Sequence, residues 1–146
     1  MSINFKEKFR TIKDFIETNY PKYLEKFNIG PPKITTAHLD FDAFKNNFML
    51  FIDFNTVNLN SDTWEDDCEN TAQITCDIFL VFRNDTIENL HEKLTDASSA
   101  LYNLLDNERT DMAANINVQE VNFFKYAEGN KNLAASKFPV EFDMKY

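Results

Sequence analysis

The first apolar residues of the chain recur at the spacing of an amphipathic helix. The residues that share the apolar face are Phe5, Phe9, Ile12 and Ile16. Asn4 followed by Glu7 fits a capping box at the start of this helix. Pro21 lacks an amide donor, so we expect the helix to end or kink near residue 19, with a short helical turn reaching residue 27. The Gly-Pro-Pro run at residues 30–32 then breaks the chain.

Alternation of apolar and polar residues predicts two long strands. It runs through residues 48–55 and, more strongly, through residues 72–83. Residues 55–71 between them are polar and acidic and contain no Gly or Pro. We therefore expect a long antiparallel hairpin.

A second amphipathic helix of about five turns is predicted after the hairpin. Its apolar positions are Ile87, Leu90, Leu94, Ala97, Leu101, Leu104 and Leu105. Residues 84–86 (Asn-Asp-Thr) are all good N-cap types, and Asp85 with Glu88 fits a capping box.

Two further strands are predicted at the end of the sequence. The phase of alternation slips between Val118 and Val121, which indicates a bulge or a register change. Residues 138–145 alternate again. Pro139 cannot donate to a ladder, so this strand should be an edge strand or have its amide side open.

These elements predict an α+β fold in the order α-β-β-α-β-β. An antiparallel four-stranded sheet would carry the N-terminal helix and the central amphipathic helix on one face. We expect one domain over residues 1–146. Within it, residues 1–29 form a basic helical segment, residues 30–44 a connector and residues 45–146 the β-β-α-β-β body.

The N-terminal helical segment and the rest of the chain also differ in net charge. The net charge of the 146 residues is −9, but residues 1–33 carry a net +3 and the remainder −12. Binding of a phosphate backbone needs clustered Lys and Arg, so we expect no sequence-specific nucleic-acid binding. No apolar run approaches 18 residues and the first residues carry no apolar signal segment, which predicts a cytoplasmic protein without a membrane partner.

The reactive side chains do not form a recognisable catalytic or metal motif. Cys68 and Cys76 lack His or Cys partners at metal spacing, and we expect two inert thiols. His38 and His91 have no Ser or Cys nearby in sequence that suggests a nucleophile. Only two glycines are present, and the chain has no phosphate loop or dinucleotide fingerprint. We therefore predict a non-enzyme without cofactor, metal or catalytic residues.

The sheet face turned away from the helices is the first candidate interface. If Ile74 and Leu80 face the helices, the apolar residues between them face away, where a solvated face would be polar. The candidate interface residues are Met49, Phe51, Phe79, Val81, Val121 and Phe123, the last two only if their register agrees. Such a patch is typical of an oligomer or partner surface. Alternatively, the first helix or residues 34–44 cover it.

The hairpin loop is the second candidate. Its candidate contact residues are Asp62, Trp64, Glu65, Asp66, Asp67 and Glu69. An aromatic residue ringed by polar groups is typical of interfaces. The loop has no Gly and its spacing fits no calcium loop. A solvated hairpin tip is the alternative.

The order of elements resembles the tail-terminator and tail-completion proteins of long-tailed bacteriophages. The segments that carry the resemblance are QITCDIFLVFRN (73–84), DTIENLHEKLTDASSALYNLLDN (85–107), NINVQEVNFFKY (115–126) and FPVEFDMKY (138–146). The resemblance implies an α+β subunit that forms a homo-oligomeric ring, commonly a hexamer, in a phage or prophage. It also implies tail-tube and head-connector proteins as partners, with the subunit in the bacterial cytoplasm during assembly and then in the virion tail. A different hypothesis is an acidic immunity- or inhibitor-type protein that neutralises a basic partner.

Overall fold

The computed structural model describes residues 2–36, 46–61, 70–107, 115–128 and 131–146. They form two helices and six strands, which confirms the α+β class. The helices are α1 (Phe5–Leu24), followed by a 3₁₀ turn (Glu25–Phe27), and α2 (Ile87–Asn107). The strands are β1 (Lys33–Thr35), β2 (Phe48–Ser61), β3 (Asn70–Arg83), β4 (Asn115–Val118), β5 (Asn122–Glu128) and β6 (Lys131–Lys145).

The strands form one mixed sheet in the order β1-β2-β3-β6-β4, with β5 also paired to β6. The predicted hairpin is confirmed as β2 and β3, which are antiparallel along their whole length apart from a bulge at Asn55. β4 and β5 lie on the same side of β6 at different levels. We call the end of the sheet at which β4 pairs with β6 the β4 end. The other end, at which β5 pairs with β6 and β1 pairs with β2, is the β5 end.

The prediction of a four-stranded antiparallel sheet is too simple in two places. β1 adds a parallel strand beside β2, and its three residues are too few to show alternation. The predicted strand around the phase slip is two strands, because residues 119–121 leave the ladder between β4 and β5. The observed order of elements is therefore α-β-β-β-α-β-β-β.

β6 lies inside the sheet, so the edge-strand alternative for Pro139 is wrong, and the alternative of an open side fits the described ladders. Pro139 pairs with Asp77 of β3, while β4 pairing begins at Val140 and β5 pairing ends at Lys137. The proline thus occupies the level of β6 at which neither β4 nor β5 pairs. A residue without an amide donor interrupts no ladder on that side.

Helix α1 continues through Pro21, contrary to the expected end near residue 19. A proline removes a single helical hydrogen bond, and the last turn is held by packing because Tyr20 and Leu24 are fully buried. The first cap is confirmed, since Asn4 Oδ1 accepts from the Glu7 amide at 3.1 Å. The second helix is capped by Thr86, whose Oγ1 accepts from the Asn89 amide at 3.2 Å, one residue later than expected.

Both helices pack on one face of the sheet and bury the main core against it. Tyr20 joins them, because its Oη donates to the Ala97 carbonyl of α2 at 2.7 Å. The Phe9 ring of α1 stacks on the Phe54 ring of β2 with centroids 4.1 Å apart. We call this side of the sheet the helix face and the other side the second face.

Candidate interaction surfaces

Four of the six predicted interface residues share the second face, as alternation indicated. Met49 lies opposite Val81, and Phe51 lies opposite Phe79 in the β2–β3 ladder. Together with Ala135 of β6 they form an apolar cluster separate from the main core. We call it the second-face cluster.

Val121 and Phe123 are not part of that cluster. They were included only if their register placed them on the second face, and it does not. Phe123 lies opposite Ser136, whose hydroxyl is 2.8 Å from that of Ser98 in α2, and therefore faces the helices. Val121 also packs against the main core. Phe124, opposite Ala135, is on the second face. The prediction was wrong by one position because β5 begins its own ladder at Asn122.

Most side chains of the second-face cluster are buried. Met49, Phe51 and Val81 are buried within the single chain, and Phe79 is half-buried. The first helix does not cover them, because it lies on the opposite face. Residues 34–44 were the other segment predicted to cover this face. Within that segment Ile34 packs against the main core, and residues 37–44 lie outside the described part of the chain.

The predicted acidic contact loop lies outside the described residues. This applies to Asp62, Trp64, Glu65, Asp66, Asp67 and Glu69, and likewise to His38 and Cys68. The ladder that leads to the loop is described up to the pair Ser61 and Asn70. The described ladder ends at the β4 end of the hairpin, and the contact role of the loop stays a prediction.

The remaining reactive side chains are Cys76 and His91. Cys76 is a buried free thiol, and its pKa is raised by burial and by the nearby charges of Asp77 and Asp53. His91 of α2 is half-buried, and its Nδ1 has no hydrogen-bond partner among the described residues. Within the described ranges, no group of three His, Cys, Asp or Glu side chains could hold a metal ion. Neither described helix is both long and apolar enough to cross a membrane.

A groove of about 720 Å³ opens at the β5 end, between residues 27–31, the hairpin and the first turns of α2. Asp85 organises its rim: it accepts from the Thr86 amide at 2.8 Å, from Asn89 at 3.1 Å and from Lys93 at 3.0 Å. These hydrogen bonds, that of Lys93 foremost, lower the pKa of Asp85 to about 2. The carboxylate and the ammonium thus satisfy each other, and the arrangement positions the start of α2.

A second groove of about 590 Å³ follows α1 along the outer edge of β2. The stacked rings of Phe9 and Phe54 lie in it, and Lys6, Arg10 and Lys13 line it. None of these three cations forms an ion pair or a hydrogen bond with another side chain of the described ranges. We call this surface the basic edge. Its spacing of four and three residues marks one helix face, a signal that sequence alone carries.

The opposite edge of the sheet has a smaller groove of about 270 Å³, between α2 and the start of β5. Tyr102 and Phe123 line it together with small hydroxyl side chains of α2. Five large hydrophobic residues of the described ranges keep between 42% and 50% of their surface exposed. They are Phe5 at the start of α1, Leu59 on β2, Tyr102 and Phe123 at the opposite edge, and Phe124 on β5.

Comparison with known proteins does not indicate a function for this chain. No protein-family model matches the chain, and no curated protein is significantly similar to it.

Proposed function

We propose that the protein is a structural, non-enzymatic subunit that self-associates through the two edges of its sheet. The observation that carries the proposal is the placement of the exposed large hydrophobic residues at these two edges. Large apolar side chains exposed at the edge of a sheet are typical of surfaces that associate with another chain. Two different edges on one chain suit a subunit that contacts two neighbours.

The assembly that this arrangement favours is a ring. A contact between two different surfaces of the same chain is heterologous, and it closes into a ring when the rotation between neighbours allows. The order of elements resembles that of phage tail-terminator and tail-completion proteins. We therefore propose a phage or prophage subunit whose ring, hexameric by that resemblance, joins the head-proximal end of the tail tube to the head connector.

Sedimentation velocity over a range of protein concentrations tests the proposal, with electron microscopy of the assembled fraction. We expect a discrete oligomer with a central opening, formed by the protein alone or on purified tail tubes. A protein that stays monomeric at every concentration and does not bind tail tubes would contradict it.

An acidic inhibitor-type protein is the second candidate, favoured by carboxylates on the second face toward the β4 end. Asp53 and Asp77 lie directly opposite one another there, and Glu141 and Asp143 follow on β6. Such a surface would attract a basic partner over about 10 Å at 0.1 M salt. The measurement is binding to purified basic proteins at increasing salt concentration, and an affinity that does not weaken with added salt would exclude this candidate.

A further inference from the structure

The second face becomes polar and acidic toward the β4 end. Four carboxylates there each lie between two strand neighbours that belong to the main core, so their side chains point away from the helices. Glu120, shortly after β4, lines a groove of about 430 Å³ on the same side, together with Pro139 and Glu141. We call the five carboxylates the acidic face: Asp53 of β2, Asp77 of β3, Glu141 and Asp143 of β6, and Glu120.

Hydrogen bonds within the chain orient two of these carboxylates. Asn55 Nδ2 donates to Asp77 Oδ2 at 3.0 Å, and Gln73 Nε2 donates to Glu141 Oε2 at 3.3 Å. The ion pair that the acidic face forms within the described ranges is long, with 3.9 Å between Lys137 Nζ and Asp77 Oδ2. An ionised carboxylate accepts several hydrogen bonds, so much of the acceptor capacity of this face is left for a partner.

Asp53 and Asp77 repel each other in the isolated chain. They lie directly opposite one another in the β2–β3 ladder. Like charges in that position are destabilising, because the two Cβ atoms are only about 4.5–5.5 Å apart. Asp53 is exposed and forms no ion pair with the other described residues. A cation from outside the chain would relieve this repulsion, so it gains more here than beside a single carboxylate.

The basic edge carries the complementary charge on the same chain. Lys6 and Arg10 are exposed and Lys13 is half-buried on one flank of α1. Asp14 also lines that groove, which leaves the basic edge positive overall. The basic edge lies on the helix side of the sheet and the acidic face on the other side. In the part of the chain that the structure describes, no ion pair joins the two surfaces.

From these observations we infer that copies of this chain associate with the basic edge of one against the acidic face of the next. The cations of α1 in one copy meet the carboxylates of its neighbour. The groove beside Pro139 accepts the apolar stem of one long basic side chain, whose charged end reaches Glu120 and Glu141. This inference rests on the proposed self-association and identifies one of its contacts. Because the two surfaces differ, the contact is heterologous and each copy has two neighbours, as in a ring.

Reciprocal charge reversal tests the inference on the full-length protein. Lys6→Glu with Arg10→Glu makes the basic edge negative, and Asp53→Lys with Glu120→Lys reverses the two exposed charges of the acidic face. Each double variant should assemble at least roughly tenfold more weakly than the wild type, because two attractive contacts become repulsive. All four side chains are exposed, so the circular dichroism spectra should not change.

The mixture of the two variants is the decisive sample. In it, the negative α1 flank of the first variant meets the altered face of the second, and the unaltered edge of the second meets the unaltered face of the first. Assembly in sedimentation velocity should therefore recover most of the wild-type level. Two control variants make the same changes in net charge at other exposed positions and should assemble as the wild type does. They are Lys22→Glu with Lys26→Glu, and Glu25→Lys with Glu92→Lys.

Asp53→Asn separates a role in the contact from a role in the fold. At protein concentrations where the chain is monomeric, it removes the repulsion from Asp77, so the urea midpoint should stay the same or rise. At higher concentrations the same variant should assemble more weakly than the wild type. A midpoint that falls in the monomer would show that Asp53 stabilises the chain itself, and would overturn its role in the contact.

The outcomes separate this inference from the proposed function. A wild type that assembles while the reversals have no effect, while the controls weaken equally, or while the mixed variants fail to recover overturns this pairing of surfaces and leaves self-association standing. A wild type that is monomeric at every concentration, alone and with tail tubes, overturns both.

Discussion

Truncation of Phe51 to alanine shows whether the second-face cluster is core or interface in solution. Phe51 is 1% exposed and lies opposite Phe79. Removal of the Phe51 ring loses its transfer free energy and leaves a cavity. We expect the free energy of unfolding to fall by about 3–5 kcal/mol. Phe123 is the matched control, since it is 48% exposed. Truncation there leaves no closed cavity and costs about half of a full transfer term, ~1 kcal/mol.

The assay is urea unfolding followed by far-UV circular dichroism at two protein concentrations. With a slope of about 2 kcal/mol/M, the midpoint should fall by about 2 M for Phe51→Ala and by about 0.5 M for Phe123→Ala. The loss for Phe51→Ala should be the same at both concentrations. The loss for Phe123→Ala should grow with concentration, because association stabilises the folded wild type by mass action. If Phe51→Ala instead unfolds with the wild type and only its assembly is lost, the cluster is an open interface and our description of it is wrong.

Three further predictions concern polar groups. Tyr20→Phe should lower the free energy of unfolding by about 1 kcal/mol, because it removes a hydrogen bond between the helices; an unchanged urea midpoint would show that this bond contributes nothing. Ser98→Ala should cost about 1–3 kcal/mol by leaving the buried hydroxyl of Ser136 alone, and adding Ser136→Ala should recover most of it; additive losses in the same assay would refute this. NMR titration should give Asp85 a pKa of about 2. In Lys93→Ala this pKa should rise only part of the way to its ordinary value of about 4, because the hydrogen bonds from Asn89 and Thr86 remain; a pKa unmoved by the substitution would disprove the role of Lys93. The stability contributed by this carboxylate is present above about pH 4 and disappears as the pH falls toward 2.

The long periodic elements were predictable because the residues that are buried in the structure are the apolar residues that recur in the sequence. The β2–β3 hairpin and helix α2 have one buried face along their whole length, so alternation or helical spacing identifies them. β1 is too short to show a period. The separation of β4 from β5 depends on how each docks on β6, and the local sequence does not contain that information.

The candidate surfaces show the same division. Alternation grouped Met49 with Val81 correctly, because neighbours on one strand face are a local property. Their degree of burial is a tertiary property, so the sequence left both an exposed and a covered second face open. The basic edge could have been found from the spacing of Lys6, Arg10 and Lys13. Its position beside Phe54 of β2 could not, because how α1 docks on the sheet depends on contacts between segments distant in sequence.

The central position of β6 also bears on how the chain folds. Thr71 pairs with Lys145 and Arg83 with Leu133, so β3 acquires its second neighbour only across the whole of α2 and the strands after it. The β2–β3 hairpin closes over a short loop and should form early, whereas contacts between distant segments form slowly. Until β6 docks, the apolar edge of β3 is open to other chains. Refolding at high protein concentration should therefore lose material to aggregation during this slow step, and a peptide that mimics β6 should suppress that loss.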